Sequence, residues 1–185
     1  MAINWTEAQI AEVVSKVLAQ VQSPAQSSDK EWDSTQYHGR KLLGIYETME
    51  EAIAAAEAGY KAIRAMSVAQ REKLITTIRE YTRAEAPAMA ALGVAETKMG
   101  RVEHKVAKHM LVADKTPGTE DITTTAWSGD RGLTLVEMGP FGVIGAITPC
   151  TNPSETVLCN TMGMLAGGNT VVFNPHPQAI KTSIY

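Results

Sequence analysis

The stretch GPFGVIGAITPCTNPSETVLCNTMGMLAGGNTVVFNPHP, residues 139–177, decides the fold. Residues 141–147 are almost wholly apolar, which is typical of a central parallel strand covered on both faces. A tight turn follows, and Pro153 then opens a helix at a position where its missing N–H costs nothing. Residues 167–169 end that helix, and residues 170–173 form a second strand. The stretch is therefore predicted to be one βαβ unit, from which nucleotide sites in open parallel sheets are built.

Polar side chains follow both predicted strands. Thr148, Thr151 and Asn152 come after the first strand, and Asn174 and His176 come after the second. Because ligands of open α/β sheets bind outside the carboxyl ends of the strands, we expect these side chains to face one crevice. The unit has neither a GxGxxG turn nor a Walker lysine, so a dinucleotide would not be held in the usual glycine-rich way.

Several of these residues are compatible with a second, purely structural role. Asn152 precedes a proline and is as well suited to capping its helix as to serving a site. His176 lies between two prolines, where a rigid surface loop is the alternative to a binding role. Cys150 and Cys159 are interpreted as small packing residues because no basic partner flanks them. Two cysteines alone make neither a disulfide framework nor a four-ligand zinc site.

Composition excludes some classes of function. Of the 185 residues, 44% are apolar and 20% charged, which is ordinary for a soluble globular protein. The net charge of −3 argues against a nucleic-acid surface, which needs clustered Lys and Arg. No run approaches the roughly 18 apolar residues of a membrane span, and no secretory signal opens the chain. We therefore expect a cytoplasmic protein without membrane or nucleic-acid partners.

The first helical segment, residues 5–21, carries one apolar stripe at helical spacing. Thr6 is its expected N-cap, with Gln9 three residues on. The polar residues 22–39 that follow are interpreted as a flexible linker. A short amphipathic helix on a tether favours docking on a partner groove over docking on its own core, although both remain open. The stripe comprises Ile10, Val13, Val14, Val17, Leu18 and Val21.

Capping boxes predict two further helices, one opened by Thr48 with Glu51 and one by Ser67 with Gln70. Pro87 is expected to interrupt or restart the second of these. The apolar pattern continues to Met99, and Gly100 is a natural C-terminal stop.

Residues 102–112 are predicted to form another short helix, with Lys105, Lys108 and His109 on its surface. Residues 96–98 are interpreted as a solvated helix end. This part of the sequence suggests little chemistry.

Two β-prone runs, residues 122–127 and 133–138, are predicted to form a hairpin joined by residues 128–132. Projecting hairpins often complete the sheet of another subunit, which makes a homo-oligomer a possible consequence.

With these features, the chain resembles the aldehyde dehydrogenase superfamily. It is similar more narrowly to the CoA-acylating aldehyde dehydrogenases of bacterial microcompartments, which act on propionaldehyde or acetaldehyde. The matching stretches are residues 10–21, residues 96–103 (ETKMGRVE), residues 116–121 (TPGTED) and residues 139–177. The resemblance implies an α/β fold: the N-terminal part of a Rossmann-like NAD-binding domain with helices and a projecting hairpin. It divides the chain into a targeting helix (1–21), a linker (22–39) and a truncated dinucleotide-binding domain (40–185).

The resemblance also implies a reaction in which aldehyde, NAD and CoA give acyl-CoA and NADH. Ile147, Thr148 and Pro149 would lie under the dinucleotide. Thr151 and Asn152 would lie near the oxyanion. The implied adenosine and CoA end is formed by Asn174, Pro175, His176 and Pro177. The helix stripe would bind a shell protein, placing the enzyme in the microcompartment lumen as a dimer or tetramer.

The sequence departs from the family pattern in three places. Hydrolytic relatives have an asparagine directly after Pro-Trp; Thr151 occupies that position here and Asn152 follows, so either side chain or the backbone is the donor. Relatives hold the adenosine ribose with a lysine and a glutamate, where this chain has Asn174 and Pro177. The family's nucleophilic cysteine and catalytic domain lie beyond Tyr185, and neither cysteine present corresponds to it. The chain alone is therefore expected to be inactive, and the alternative function is a non-catalytic module that docks on a microcompartment shell.

Overall fold

The βαβ unit at the end of the chain is formed as predicted in the computed structural model, which describes residues 5–22, 36–37, 40–41 and 43–185. Strands β5 and β6 pair in parallel, with α5 between them in sequence. The described helices are α1 (Glu7–Gln22), α2 (Met49–Ala65), α3 (Val68–Thr97), α4 (Val102–Lys115), α5 (Pro153–Ala166) and α6 (Ile180–Ile184). The described strands are β1 (Gln36–Tyr37), β2 (Arg40–Lys41), β3 (Thr125–Gly129), β4 (Gly132–Val136), β5 (Val143–Ile147) and β6 (Thr170–Asn174).

Asn169 fixes the start of the parallel pair. Its side-chain oxygen accepts hydrogen bonds from the backbone N–H groups of Phe141 (2.6 Å) and Gly142 (3.0 Å). The chain can turn from α5 into β6 because Gly168 takes a φ of +77°, which L side chains rarely adopt. The glycine stop and the following asparagine thus set the register of the sheet as well as ending the helix.

Both predicted capping boxes are present. The Thr48 hydroxyl accepts from the Glu51 backbone N–H while the Glu51 carboxylate accepts from that of Thr48. Ser67 and Gln70 exchange the same pair of bonds at the start of α3. Each box satisfies two N–H groups that a helix start would otherwise leave without partners.

The expectation that Pro87 interrupts its helix is wrong. Helix α3 continues through Pro87 and ends at Thr97, where Lys98 takes a left-handed conformation with φ 60°. Proline removes the donor that would bond the carbonyl four residues earlier, here that of Arg83. The indole N–H of Trp5 takes that place, donating to the Arg83 carbonyl at 3.0 Å. A contact from outside the helix therefore satisfies the carbonyl that proline leaves free.

Helix α1 has a neighbour within its own chain, contrary to the expectation of an unpartnered stripe. Ile10 packs on a buried cluster formed by Ala86, Ala90 and Val106. Thr6 and Gln9 cap the helix as predicted, the Gln9 N–H donating to the Thr6 hydroxyl at 3.3 Å. Docking on α3 is thus the arrangement in the structure. The side chains of Val17, Leu18 and Val21, and residues 23–35 of the predicted linker, lie outside the part described.

The predicted hairpin is present as β3 and β4 in antiparallel register, but its turn is shorter than predicted: Ser128, Gly129 and Gly132 belong to the paired strands, and two residues close the turn. All ten of its strand residues are exposed. A second buried cluster supports the βαβ unit instead, formed by Ile75, Met162 and Ala166. No helix in the described parts of the chain is long and apolar enough to cross a membrane.

Candidate functional site at the carboxyl edge of the parallel strands

The two loops predicted to meet do lie side by side. Ile147 is the partner of Asn174 in the parallel register. The ladder extends one step further, because the Thr148 N–H donates to the Asn174 carbonyl at 3.2 Å. Residues 148–152 and 174–177 therefore leave the sheet at the same edge, as the sequence predicts.

The predicted site residues differ in how accessible they are. Ile147 is 86% exposed, and Pro149, Thr151, Asn174 and Pro177 are also exposed. Cys150, Asn152, Pro175 and His176 are half-buried. Thr148 instead lies beneath the turn with 2% of its surface exposed. Its hydroxyl oxygen is buried without a hydrogen-bond partner among the described residues, so the expectation of a Thr148 side chain facing an open crevice is not met.

Asn152 occupies the N-cap position of α5 but makes no side-chain capping bond. Its side-chain oxygen accepts a hydrogen bond from the Lys108 ammonium group at 2.9 Å. The first turn of α5 begins with the Thr156 N–H donating to the Asn152 carbonyl at 3.0 Å. The sequence leaves two roles open for Asn152, helix capping and a place in the site. The structure does not support capping by its side chain.

Helix α4 contributes basic side chains to this turn; Lys108 is exposed as predicted, whereas the expectation of a surface position is wrong for Lys105 and His109. Lys105 is 3% exposed and His109 is fully buried. The Lys105 ammonium donates to the Thr151 carbonyl at 3.0 Å and forms an ion pair with Glu155 at 3.4 Å. An ion pair this well buried is held by its hydrogen bonds, because desolvation opposes the Coulombic attraction.

His109 completes the same face of α4. Its Nδ1 lies 2.7 Å from the Lys105 carbonyl, which only accepts, so the proton of the neutral ring is on Nδ1. Nε2 then accepts from the Ser154 hydroxyl at 2.8 Å. Burial lowers the pKa of His109 below its ordinary value of 6.5, opposed by the neighbouring Glu155 carboxylate. The histidine therefore stays neutral and anchors the first turn of α5.

His176 has a structural role in the loop after β6. Its Nδ1 accepts from the Gln178 N–H at 3.1 Å, capping a short 3-10 turn, Pro177–Ala179. This leaves Nε2–H as the ring's donor. The rigid-loop role is thus present, and Nε2 remains available for a ligand.

Glu96 binds the start of α6, so the interpretation of residues 96–98 as a solvated helix end is wrong for Glu96, while Lys98 is exposed as interpreted. Its carboxylate accepts from the backbone N–H groups of Lys181 (2.9 Å) and Thr182 (2.7 Å) and from the Thr182 hydroxyl. These bonds fix the start of α6 and, through it, the loop at residues 174–177.

A cavity of about 600 Å³ borders one end of this region. It lies against β6, α2 and α6, and Asn174 and Pro175 contribute to its wall. None of its lining residues belongs to β5 or to the turn at residues 148–152. The cavity therefore adjoins the loop after β6 and is separate from the turn that Lys105 and Lys108 hold.

Cys150 and Cys159 are free, half-buried thiols. Within the described ranges, no three His, Cys, Asp or Glu side chains are grouped so as to hold a metal ion.

Sequence reasoning missed the part played by α4. Lys105, Lys108 and His109 are spaced i, i+3 and i+4, which places them on one helix face. That spacing was visible in the sequence. Their contacts with residues 151–155 were not, because those contacts depend on how α4 packs against α5.

A parallel strand pair with polar loops at its carboxyl edge places the chain in the α/β class, in which ligands bind outside that edge. The match to a known family is more specific. Residues 22–185 match the aldehyde dehydrogenase family, and the chain belongs to that family.

Relatives with assigned functions include an acetylating acetaldehyde dehydrogenase from Bilophila wadsworthia. It is 49% identical over 141 residues, which cover 76% of this chain and 29% of the relative. A propionaldehyde dehydrogenase from the fucose utilisation microcompartment of Clostridium phytofermentans superimposes with a TM-score of 0.74. It shares 69% identity over 76% of this chain and 32% of its own.

A Rhodopseudomonas palustris propionaldehyde dehydrogenase, solved with bound CoA and an acylated cysteine, has the same TM-score of 0.74. Its identity is 50%, over 76% of this chain and 33% of its own. The chain thus spans about a third of the length of the relatives it matches.

Proposed function

We propose that these residues form the N-terminal part of the NAD-binding domain of a CoA-acylating aldehyde dehydrogenase. Its substrate would be a short aliphatic aldehyde, propionaldehyde or acetaldehyde, and its products acyl-CoA and NADH. The observation that carries the proposal is the parallel pairing of β5 and β6, which puts residues 148–152 beside residues 174–177 in a chain of this family.

The residues present fit a dinucleotide. Ile147 and Pro149 offer an exposed apolar platform at the sheet edge, and Asn174 offers an exposed amide. The buried Thr148 hydroxyl is a donor without a partner among the described residues. Residues 147–149 and 174–177 would hold the dinucleotide, whose nicotinamide supplies a hydride acceptor. The half-buried rim at Pro175 and His176 is proposed for the adenosine and CoA end.

The turn at residues 151–152 is proposed as the oxyanion region. It stands at the N-terminus of α5, where the helix dipole favours negative charge. Neither Cys150 nor Cys159 is proposed as the nucleophile. The acyl-enzyme step would therefore need a nucleophilic cysteine from outside these 185 residues.

An assay of NADH formation tests this proposal. We expect the full-length enzyme to reduce NAD with propionaldehyde or acetaldehyde only when CoA is present, and the 185-residue chain alone to show no turnover. Activity that does not depend on CoA would overturn the acylating assignment. The ratio of kcat/KM for the two aldehydes would identify the preferred substrate.

A second function is proposed for α1, that of targeting the enzyme to a microcompartment shell. A similar structure comes from such a compartment, and α1 carries an apolar stripe that includes the half-buried Val13 and Val14. Because α1 docks on α3 in the structure, shell binding would compete with that contact. The linker proposed at residues 22–39 would allow α1 to exchange between docking on α3 and binding a shell protein.

Charged substitutions in the stripe test the targeting role. Val14→Glu and Leu18→Glu should abolish co-fractionation with shell protein and leave turnover unchanged, because a buried carboxylate opposes docking. Ala11→Glu is the matched control, since residue 11 lies on the exposed side of α1. Unchanged encapsulation of both stripe variants would contradict a targeting role.

A further inference from the structure

One face of α4 holds residues 151–155 through four polar contacts. Lys105 binds the Thr151 carbonyl and Glu155, and His109 binds Ser154. Lys108 binds the side-chain oxygen of Asn152. These four contacts are more than packing between two helices requires, because each pairs a charged or buried polar side chain of α4 with a specific group of residues 151–155.

The contact with Lys108 decides which end of the Asn152 amide points away from α4. An ammonium group has only hydrogens to offer, so the side-chain oxygen of Asn152 must face Lys108. Rotating the amide by half a turn would bring its NH₂ group against the ammonium, donor against donor. The Nδ2 group is therefore fixed on the outer side, where its contact with the Thr151 hydroxyl is long, at 3.5 Å.

An amide held in one orientation has the preorganisation that an oxyanion donor needs. Donors that stabilise an oxyanion are effective when they are already aimed at the position where negative charge develops. The positive charge of Lys108 on the amide oxygen also polarises the amide and strengthens its N–H groups as donors. Lys105 binds the Thr151 carbonyl and His109 binds the Ser154 hydroxyl, so the residues on both sides of Asn152 are held.

We propose that α4 positions the catalytic turn, with Lys108 orienting Asn152 so that the Asn152 NH₂ group, and not the Thr151 hydroxyl, donates to the oxyanion. Lys108 is a positioning residue, since it acts through Asn152, and Lys105 and His109 support the turn's backbone. The inference rests on the proposed dehydrogenase function and selects one donor from the two that the sequence leaves open.

The test uses Lys108 because it is exposed and can be changed without burying an unpaired charge. In the full-length enzyme, Lys108→Met should lower kcat about tenfold to a hundredfold, as expected for a misplaced catalytic group. The KM for aldehyde should change by less than about threefold, because the contact acts in the transition state. Lys108→Arg should restore most of the rate, and Lys115→Met, on the exposed end of the same helix, is the matched control.

A double-mutant cycle with Asn152→Ala completes the test. If Lys108 acts through Asn152, the double variant should be no slower than Asn152→Ala alone. Independent effects that multiply, or a Lys108→Met variant that behaves like Lys115→Met, would overturn the proposal.

A readout that does not depend on activity separates this inference from the proposed function. The side-chain NH₂ signal of Asn152 in an NMR spectrum should shift in Lys108→Met and stay unchanged in Lys115→Met, because Lys108 binds the oxygen of that amide. A wild-type enzyme without CoA-dependent activity would refute the proposed function, whereas an unchanged Asn152 side-chain signal in Lys108→Met would refute the positioning role.

Discussion

Lys105 is a charged residue that the sequence places on the surface of its helix and that the structure buries. Its side chain is 4% exposed and faces Glu155, whose side chain is 6% exposed. Removing either partner would leave a buried charge without compensation, which typically costs about 3–5 kcal/mol. Helical periodicity alone does not reveal such a pair, because Glu155 lies 50 residues away.

The neutral state of His109 predicts an acid-sensitive fold. Burial lowers its pKa below 6.5, so at acidic pH the unfolded chain binds a proton that the folded chain does not. The free energy of unfolding should therefore be fully maintained above about pH 6.5 and fall as the pH drops below that value. The groups that face the ring are the Ser154 hydroxyl, the Glu155 carboxylate and Lys105.

Urea unfolding between pH 5 and pH 8, followed by circular dichroism, measures this dependence. In His109→Gln, the free energy of unfolding should depend less steeply on pH, because the contribution of this histidine is lost. His104→Gln is the control, because His104 lies on the exposed face of the same helix. Equal slopes for the wild type and His109→Gln would show that His109 does not carry the effect.

At the scale of elements, α1 and α3 are joined by a contact that neither helix pattern predicts. Pro87 leaves the Arg83 carbonyl without its helical donor, and Trp5 supplies one. The apolar contact of Ile10 lies on the same side. The proline that sequence reasoning took for a helix break is thus accommodated within the helix, next to the docking point for α1.

Trp5→Phe should loosen α1 while keeping its apolar contact. The variant removes the indole N–H and leaves the half-buried Arg83 carbonyl without this donor, which should cost about 1 kcal/mol, the lower end of the range for a buried group. Hydrogen exchange in residues 7–16 should become faster. Trp127→Phe, in the hairpin at a side chain 57% exposed, is the matched control and should leave α1 unchanged. Equal protection of α1 in both variants would contradict the role of the indole.

At the scale of the whole molecule, the β3–β4 hairpin exposes several large apolar side chains. Leu133 and Leu135 are 65% and 60% exposed, and they share a face because they are two residues apart in one strand. Exposed apolar patches of this kind mark interaction surfaces. The hairpin is therefore the part of the described structure best suited to contact a second copy of the chain.

Leu135→Glu in the full-length enzyme should shift the assembly toward smaller species. A carboxylate in an apolar interface is destabilising unless it is paired. Size-exclusion chromatography with light scattering measures the mass. Thr134→Glu introduces the same charge on the opposite face of β4 and tests whether the leucine face is the one used. An unchanged mass for both variants would contradict assembly through the hairpin.

Much of the local structure follows from residues that act on their neighbours in sequence. The capping boxes at Thr48 and Ser67 and the βαβ unit lie where the patterns place them, and the hairpin forms with a shorter turn than predicted. The parallel register could be expected as well, since a short βαβ crossover brings both loops to one edge. Pro87 is the exception, because tolerance of a proline depends on what else reaches the free carbonyl.

The sequence by itself determined the elements, the family resemblance and the edge at which the candidate site lies, because capping, periodicity and turn chemistry are local properties. Only the tertiary structure decided how α4 holds residues 151–155, how Glu96 fixes the loop after β6, and where α1 docks. These contacts join residues far apart in the chain, and their formation depends on burial and packing direction. That is why the strand-turn-helix-strand unit was evident from residues 139–177, whereas the side chains that orient its turn were not.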